Sequence, residues 1–383
     1  MPMPAPLRSD WKVIRRDKVM PEDGIEKLVR PHLKGFTGYS ASISPDTLAG
    51  KTDVPVEDII KMNANENPYG CSPRVLRALS DNPHLHIYPD DGQVELRRLL
   101  AGYAGVGPER VVAGHGSNTL IDYIVRLFVG PGDEVINCVP TFDLYRFSTE
   151  ICGGTMVNVE RDNNYVIDIN RVKAAVTDKT KLIFLATPNN PTGNAIPQSD
   201  ILEIIDTGVP VVVDEAYYEF CGETVVPLAE KYKNLMVLRS FSKWAGLAGL
   251  RIGYGILPPR IIDFLMAIKI PHNVSVASEI AVHESLADLD YLQEKVEALI
   301  GERERLFNAL KRFSWLETYP SQANFIFCTL SKGDAAELQL KLQKKGILVR
   351  YFDKPLLRNS IRISAGKPEH TDALVRALQD LEP

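Results

Sequence analysis

A basic surplus, paired cysteines and long apolar runs are all scarce in this sequence, and each scarcity closes a class of function. The formal charge of −5 sets the chain against general nucleic-acid binding, which draws on clustered Lys and Arg. The five cysteines, Cys71, Cys138, Cys152, Cys221 and Cys328, are odd in number, scattered and without a CxxC pair. They indicate neither a disulfide framework nor a zinc site. The seven histidines contain no HExxH, and His84-Leu-His86 reads as a pair on a polar surface loop, so no metal is expected. No stretch approaches the roughly 20 apolar residues of a membrane helix. The amino terminus lacks a signal-peptide apolar run, so the expectation is a soluble, cytoplasmic protein. Gly50-Lys-Thr52 resembles the end of a P-loop, but Pro45 stands where that loop needs its first glycine. Internal repeats and low-complexity segments are absent too.

What is present is an ordinary globular composition, 45% hydrophobic and 24% charged, in 383 residues, enough for more than one domain. Residues 1–60 are polar and proline-punctuated and read as an arm, with one short helix near 24–29 and a solvated basic cluster at 8–18. Helical patterns follow at 73–79 and 93–102. Apolar strands at 111–113, 134–139, 181–186, 209–213, 235–238 and 252–256 then alternate with helical patterns, including 117–129 and 142–151. Such alternation indicates a mostly parallel sheet covered on both faces. A long helical stretch over 259–312 leads to a smaller α/β region with strands at 324–328, 347–350 and 360–364 and helices near 334–345 and from 369. The expected division is therefore an arm (1–60), a large α/β domain (61–270) and a small C-terminal domain (271–383).

Ligands of an open parallel sheet bind at the carboxyl ends of its strands, so the residues just past each strand are the candidates. After the first comes Gly114-His-Gly116-Ser117-Asn118-Thr119, a glycine turn opening a helix and a ready anion site. Thr119 replaces the third glycine of a dinucleotide fingerprint, so one phosphate is the expected occupant. Pro140-Thr-Phe142 offers an aromatic to stack on a flat ring or to pack in the core. Thr187-Pro-Asn-Asn190 offers an amide on a rigid turn, and Asp214-Glu-Ala-Tyr217 offers a carboxylate and a phenol. A carboxylate leaving a buried strand is costly unless a cation or donor meets it. Ser240-Phe-Ser242-Lys243 completes the set, with Arg251 eight residues on. A lysine there can condense with a carbonyl once neutral; Ser240, Ser242 and Arg251 suit a phosphate. Together these are the partners of pyridoxal 5′-phosphate: Lys243 to bond its aldehyde, Asp214 to keep its ring nitrogen protonated, Asn190 and Tyr217 for its phenolate oxygen, and the glycine turn and Arg251 for its phosphate.

In that order the motifs resemble those of the fold-type I pyridoxal-phosphate aminotransferases, over nearly the whole chain. Asn63-Ala-Asn65-Glu-Asn-Pro68, Tyr88-Pro-Asp90, Pro188-Asn-Asn-Pro-Thr-Gly193, Asp214-Glu-Ala-Tyr-Tyr-Glu-Phe220 and Gly246-Leu-Ala-Gly-Leu-Arg251 are similar to the histidinol-phosphate branch of that family. The resemblance implies a homodimer in which Tyr88 reaches the cofactor phosphate of the other subunit, and phosphate binding by the backbone after Gly116. It implies substrate contacts from Tyr39, Asn65, Arg350 and Arg362, with Arg362 on the substrate's anionic end. Phe142 departs from the pattern, since many relatives carry tyrosine there; ring stacking survives, and a hydroxyl contact is lost. The implied activity is amino transfer between L-histidinol phosphate and 2-oxoglutarate, giving imidazole acetol phosphate and L-glutamate. An aminotransferase for aromatic amino acids and a threonine-phosphate-type decarboxylase with the same cofactor set stay open. A non-catalytic, ligand-sensing protein is disfavoured by Lys243 itself.

Overall fold

The inner strands of the central sheet have successive residues that point to opposite faces, both buried. The computed structural model describes residues 24–38, 44–50, 52 and 54–381. Tyr39 and the basic cluster at 8–18 lie outside them. Residues 24–37 belong to one unit and carry two 3-10 turns, Ile25–Leu28 and Pro31–Leu33. The chain from Gly38 onward is a second unit and holds everything described below.

Its strands are β1 (Ile60–Lys61), β2 (Val111–His115), β3 (Glu134–Val139), β4 (Thr155–Glu160), β5 (Thr180–Ala186), β6 (Val211–Asp214), β7 (Leu235–Ser240), β8 (Ile252–Ile256), β9 (Leu316–Tyr319), β10 (Phe325–Leu330), β11 (Ile347–Leu348), β12 (Arg350–Tyr351) and β13 (Ser360–Ser364). Seven form the main sheet in the order β2-β8-β7-β6-β5-β3-β4. β8 runs antiparallel to both neighbours and the other pairings are parallel. The expected mostly parallel sheet is therefore present. Along β5, Leu182 and Phe184 enter one apolar cluster while Ile183 and Leu185 enter another; Val212 and Val211, and Met236 and Leu235, split the same way. This is the two-residue period of a strand buried on both faces, where each such side chain contributes about 1.5–3 kcal/mol.

A second sheet, β12-β13-β10-β9, is antiparallel and packs with the helices Ala335–Lys344 and Pro368–Asp380 around its own core, which also takes in Met62. Met62 arrives there because β1 pairs with β11, and its carbonyl accepts from Ser364 N at 2.9 Å. That pairing carries residues 63–67 from the start of the chain to the carboxyl edge of the main sheet.

Three expectations change. The helical stretch over 259–312 is three helices, Pro259–Ile268, Val276–Leu286 and Leu289–Leu310. The first stops because Pro271 pushes Ile270 out of helical geometry, and Ser275 caps the second by accepting from Ser278 N. The strand expected at 347–350 divides at Val349 into β11 and β12, which belong to different sheets. β4 and β9, and the helices Ile169–Ala174 and Gln198–Ile205, are additions. β4 is an edge strand with one buried residue, Val159, so its apolar signal is weak.

Candidate active site

The carboxyl edges of β2, β5, β6 and β7 open onto one cleft of about 320 Å³. Ser117, Asn118, Phe142, Asn190, Asp214, Tyr217, Ser240, Ser242, Lys243, Arg251, Asn65 and Arg362 all line it. Arg251 precedes β8, yet it reaches the same edge because β8 is reversed, with Ile252 opposite His115 and Gly253 opposite Ser240.

Lys243 is placed by its neighbours. Ser240 Oγ accepts from Ser242 N at 3.1 Å, tightening the turn after β7. Trp244 is buried, stacks on Tyr103 with centroids 5.6 Å apart, and its carbonyl accepts from Asn67 Nδ2 at 2.8 Å. Gly246 has φ +68, and a Cβ there would lie 2.2 Å from the Gly70 carbonyl oxygen, so only glycine lets the two loops meet. Lys243 Nζ donates to the Ala64 carbonyl at 2.9 Å. Burial first, and then the positive field of Arg362, push its ammonium down to about 8, with Glu66 pulling the other way.

Asp214 is buried at the end of β6 and answers the cost of its position with two donors. Tyr145 Oη donates to Oδ2 at 2.8 Å, and Ala216 N donates to Oδ1 at 3.1 Å. Burial lifts its pKa to about 6, while these two bonds hold it from rising further. Tyr145 is itself fixed by stacking on Phe184 (4.5 Å, 8°) and by an edge contact with Phe142 (5.7 Å, 85°). On the opposite side of the strands, Glu215 and Arg239 form a buried ion pair at 3.0 Å that ties β6 to β7. Removing either partner would leave a buried charge uncompensated, at about 3–5 kcal/mol.

The phosphate nest sits across the cleft. Gly116 has φ +75, and a Cβ there would meet Arg251 Nη2 at 2.7 Å. Glycine therefore allows the guanidinium to approach the start of the helix Ser117–Phe128, whose first amides lack helical acceptors. Arg251 Nη1 donates to the Ala248 carbonyl at 3.1 Å and makes a longer contact, 3.5 Å, with Ser242 Oγ.

The remaining wall comes from both ends of the chain. Asn65 Nδ2 donates to Tyr217 Oη at 2.9 Å, and Ser364 Oγ donates to Asn65 Oδ1 at 2.8 Å. Arg362 donates through Nη1 to Asn190 Oδ1 and through Nη2 to the Asn63 carbonyl at 2.9 Å. With its oxygen engaged, Asn190 turns its NH₂ donors to other partners. Arg350 lies opposite Arg362 in the β12–β13 ladder and lines an adjoining pocket of about 80 Å³. Tyr88 is not brought to the cleft by its own chain; it is 80% exposed and stacks on His272. Tyr145 and Glu66 were not singled out from sequence. Tyr145 could have been, as an aromatic three residues beyond Phe142 on the same incipient helix.

A buried carboxylate, a lysine with a lowered pKa, an amide and a phenol beside a phosphate nest define a transferase site of the pyridoxal-phosphate kind. The family model for class I and II aminotransferases matches residues 57–378. The chain belongs to that family and, within it, to the histidinol-phosphate aminotransferases. It is 52% identical to the histidinol-phosphate aminotransferase of Dehalococcoides mccartyi (strain ATCC BAA-2266 / KCTC 15142 / 195), over 93% of this chain and 98% of that protein. It is 42% identical to chloroplastic histidinol-phosphate aminotransferase 1 of Arabidopsis thaliana, over 92% and 86%. Among solved structures, the Sinorhizobium meliloti histidinol-phosphate aminotransferase in complex with pyridoxal 5′-phosphate superposes with a TM-score of 0.83 at 27% identity, covering 92% of this chain and 96% of that one. Among the described residues, no group of His, Cys, Asp or Glu could hold a metal, and no helix is long and apolar enough to cross a membrane.

Proposed function

We propose that this enzyme binds pyridoxal 5′-phosphate in the cleft and transfers the amino group of L-histidinol phosphate to 2-oxoglutarate, giving imidazole acetol phosphate and L-glutamate. The observation that carries the reading is that Lys243, Asp214, the helix start at Ser117 and Asn118, and Arg362 line one cavity. The residues fit the cofactor: the Gly116–Arg251 approach sets a guanidinium beside the first amides of a helix, a donor set suited to a phosphate, and Asp214 is a buried acceptor suited to a cationic ring nitrogen. When bound, the cofactor supplies an aldehyde that exchanges amino groups and a ring that withdraws electrons.

The chain's own residues do the rest. Lys243 Nζ, neutral above about pH 8, takes the proton from the substrate carbon bearing the amine and later returns it. Asp214 keeps a proton on the ring nitrogen, with Tyr145 holding the carboxylate in place. Tyr217 and Asn190 would donate to the ring oxygen, and Phe142 would pack against the ring. Arg362, with Arg350 nearby, takes the substrate's phosphate in one half-reaction and a glutamate carboxylate in the other, both of which match an arginine fork. Tyr39 would add a further contact to that phosphate. Mixing the loaded enzyme with L-histidinol phosphate and 2-oxoglutarate tests the reading: glutamate should form in step with imidazole acetol phosphate, and its absence would reject it.

The lowered Lys243 pKa gives a pH expectation with a definite sign. Because the folded protein releases that proton near 8 rather than 10.5, the reactive neutral amine accumulates as pH rises through 8. Capture of the free cofactor by apoprotein, followed by absorbance, should accelerate between pH 6 and 9 and level off above. A rate falling over that range contradicts the assignment.

The same reading makes the enzyme a cytoplasmic homodimer with Tyr88 serving the partner's cofactor phosphate. It is supported by the exposed apolar run of Leu85, Ile87, Tyr88 and Val94 together with Ile270, side chains a lone protomer would leave in water. Tyr88→Phe should weaken cofactor retention by about tenfold, the effect of one charge-assisted hydrogen bond, without dissociating the dimer in sedimentation. Unchanged retention would remove Tyr88 from the site.

A further inference from the structure

Asp143 stands at the N-cap of the helix Leu144–Ile151, a place where aspartate usually accepts an amide hydrogen from the first turn. Here its side chain accepts none. Its oxygens accept instead from Arg146 Nε and Nη2, both at 3.2 Å, and from Lys354 Nζ at 2.6 Å. Lys354 lies on the loop after β12, so this ion pair joins the lip above β3 to the segment carrying Arg350 and Phe352. Asp143, Arg350, Phe352, Lys354 and Arg362 all line the small pocket that adjoins the cofactor cleft and shares Phe142, Asn190 and Arg362 with it. Its ionisable lining is three cations against one carboxylate. The surplus of two positive charges equals the charge of a phosphate monoester dianion.

We propose that Lys354 determines specificity for the phosphate-bearing substrate: Asp143 holds it at the rim, and it passes from that carboxylate to the phosphate when the substrate binds. The inference rests on the substrate reading given above. Three features make the exchange feasible. The Lys354 side chain is 46% exposed, so swinging it disrupts little packing. Lysine carries a compact charge with three donors on a flexible stem, suited to a phosphate approached from the side. Asp143 keeps Arg146 as its partner after Lys354 leaves, so no half-buried carboxylate is stranded. Phe352 lies under both guanidinium groups, 5.5 Å from Arg350 and 5.7 Å from Arg362, and keeps the two arginines beside the pocket. A glutamate side-chain carboxylate brings one negative charge rather than two, and so has less to gain from a third cation.

Lys354→Met and Asp143→Asn, compared in the cofactor-loaded enzyme, test this in three assays. These are amino transfer from L-histidinol phosphate, amino transfer from glutamate, and competition by inorganic phosphate against glutamate. Lys354→Met should lower kcat/KM for histidinol phosphate about tenfold more than for glutamate, chiefly through KM, and weaken phosphate competition by a similar factor, as expected for one charge-assisted contact. Asp143→Asn releases Lys354 without removing it, and should leave phosphate competition as strong or make it stronger. Equal losses in both variants for both donors would mean the pair is only a strap between two loops, and would overturn the proposal. So would an unchanged donor ratio in Lys354→Met. If the unaltered enzyme does not use histidinol phosphate at all, the substrate reading fails, and phosphate competition still decides the role of Lys354.

Discussion

Replacing Lys243 by alanine should abolish turnover, lowering kcat by on the order of 10⁴ or more. Two functions disappear together: the covalent tether of the cofactor and the base that moves the substrate proton, a role alone worth roughly 10²–10⁴. The fold should survive. Lys243 is only partly buried and makes a single hydrogen bond, to the Ala64 carbonyl, while the turn around it is held by Trp244, Gly246 and the serine pair. Removing a desolvated ammonium forfeits the attraction of Glu66, which burial and Arg362 outweigh, so the melting temperature should hold or rise. The cofactor should still enter, held by the nest and Asp214, but dialyse away and show no lysine-bonded absorbance. Near-native amino transfer by this variant would remove Lys243 from the chemistry.

Asp214→Asn carries the second large effect, a loss of about 10³ in kcat, in the range found when one preorganised electrostatic partner of a developing charge is removed. The variant is a fair test because its amide oxygen can still accept from Ala216 N, while its NH₂ takes the place of the oxygen that Tyr145 Oη donates to, and that hydroxyl can turn to accept from it. Packing is kept while the negative charge that favours a protonated ring nitrogen is lost. The loss should fall on kcat, with cofactor binding weakened less, because the phosphate nest is untouched. Tyr145→Phe should act in the same direction and more mildly, since Asp214 would then keep only the Ala216 amide. A variant at Asp214 with unaltered kcat would place the ring elsewhere.

Much of this site was legible in the sequence because its parts follow strands. Asn190, Asp214 and Ser240 to Lys243 stand at or just past the ends of buried apolar runs, and a parallel sheet gathers such ends at one edge. The reversed strand β8 hides the logic for Arg251, which lies before its strand rather than after it; there the family spacing was the better guide. Contacts made across long separations left little local trace. Tyr145 meets Asp214 from a helix that begins 70 residues before the strand's end at 214, and its spacing from Phe142 is the one local hint of that role. Lys354 reads as one more solvated lysine until the fold sets it against Asp143. The break in 259–312 was signalled by Pro271, but the apolar pattern on either side ran on and masked it.

The central claim concerns which amine the enzyme accepts, and a half-reaction decides it. Loaded protein would be mixed separately with L-histidinol phosphate, phenylalanine and threonine phosphate, with no oxo acid present, and the cofactor's change from aldehyde to amine form followed by absorbance. Rapid, complete conversion by histidinol phosphate, and slow conversion by the other two, is the result this account predicts. Equal or faster conversion by phenylalanine would make the enzyme an aromatic aminotransferase, and carbon dioxide released from threonine phosphate would show that the same residues break a different bond.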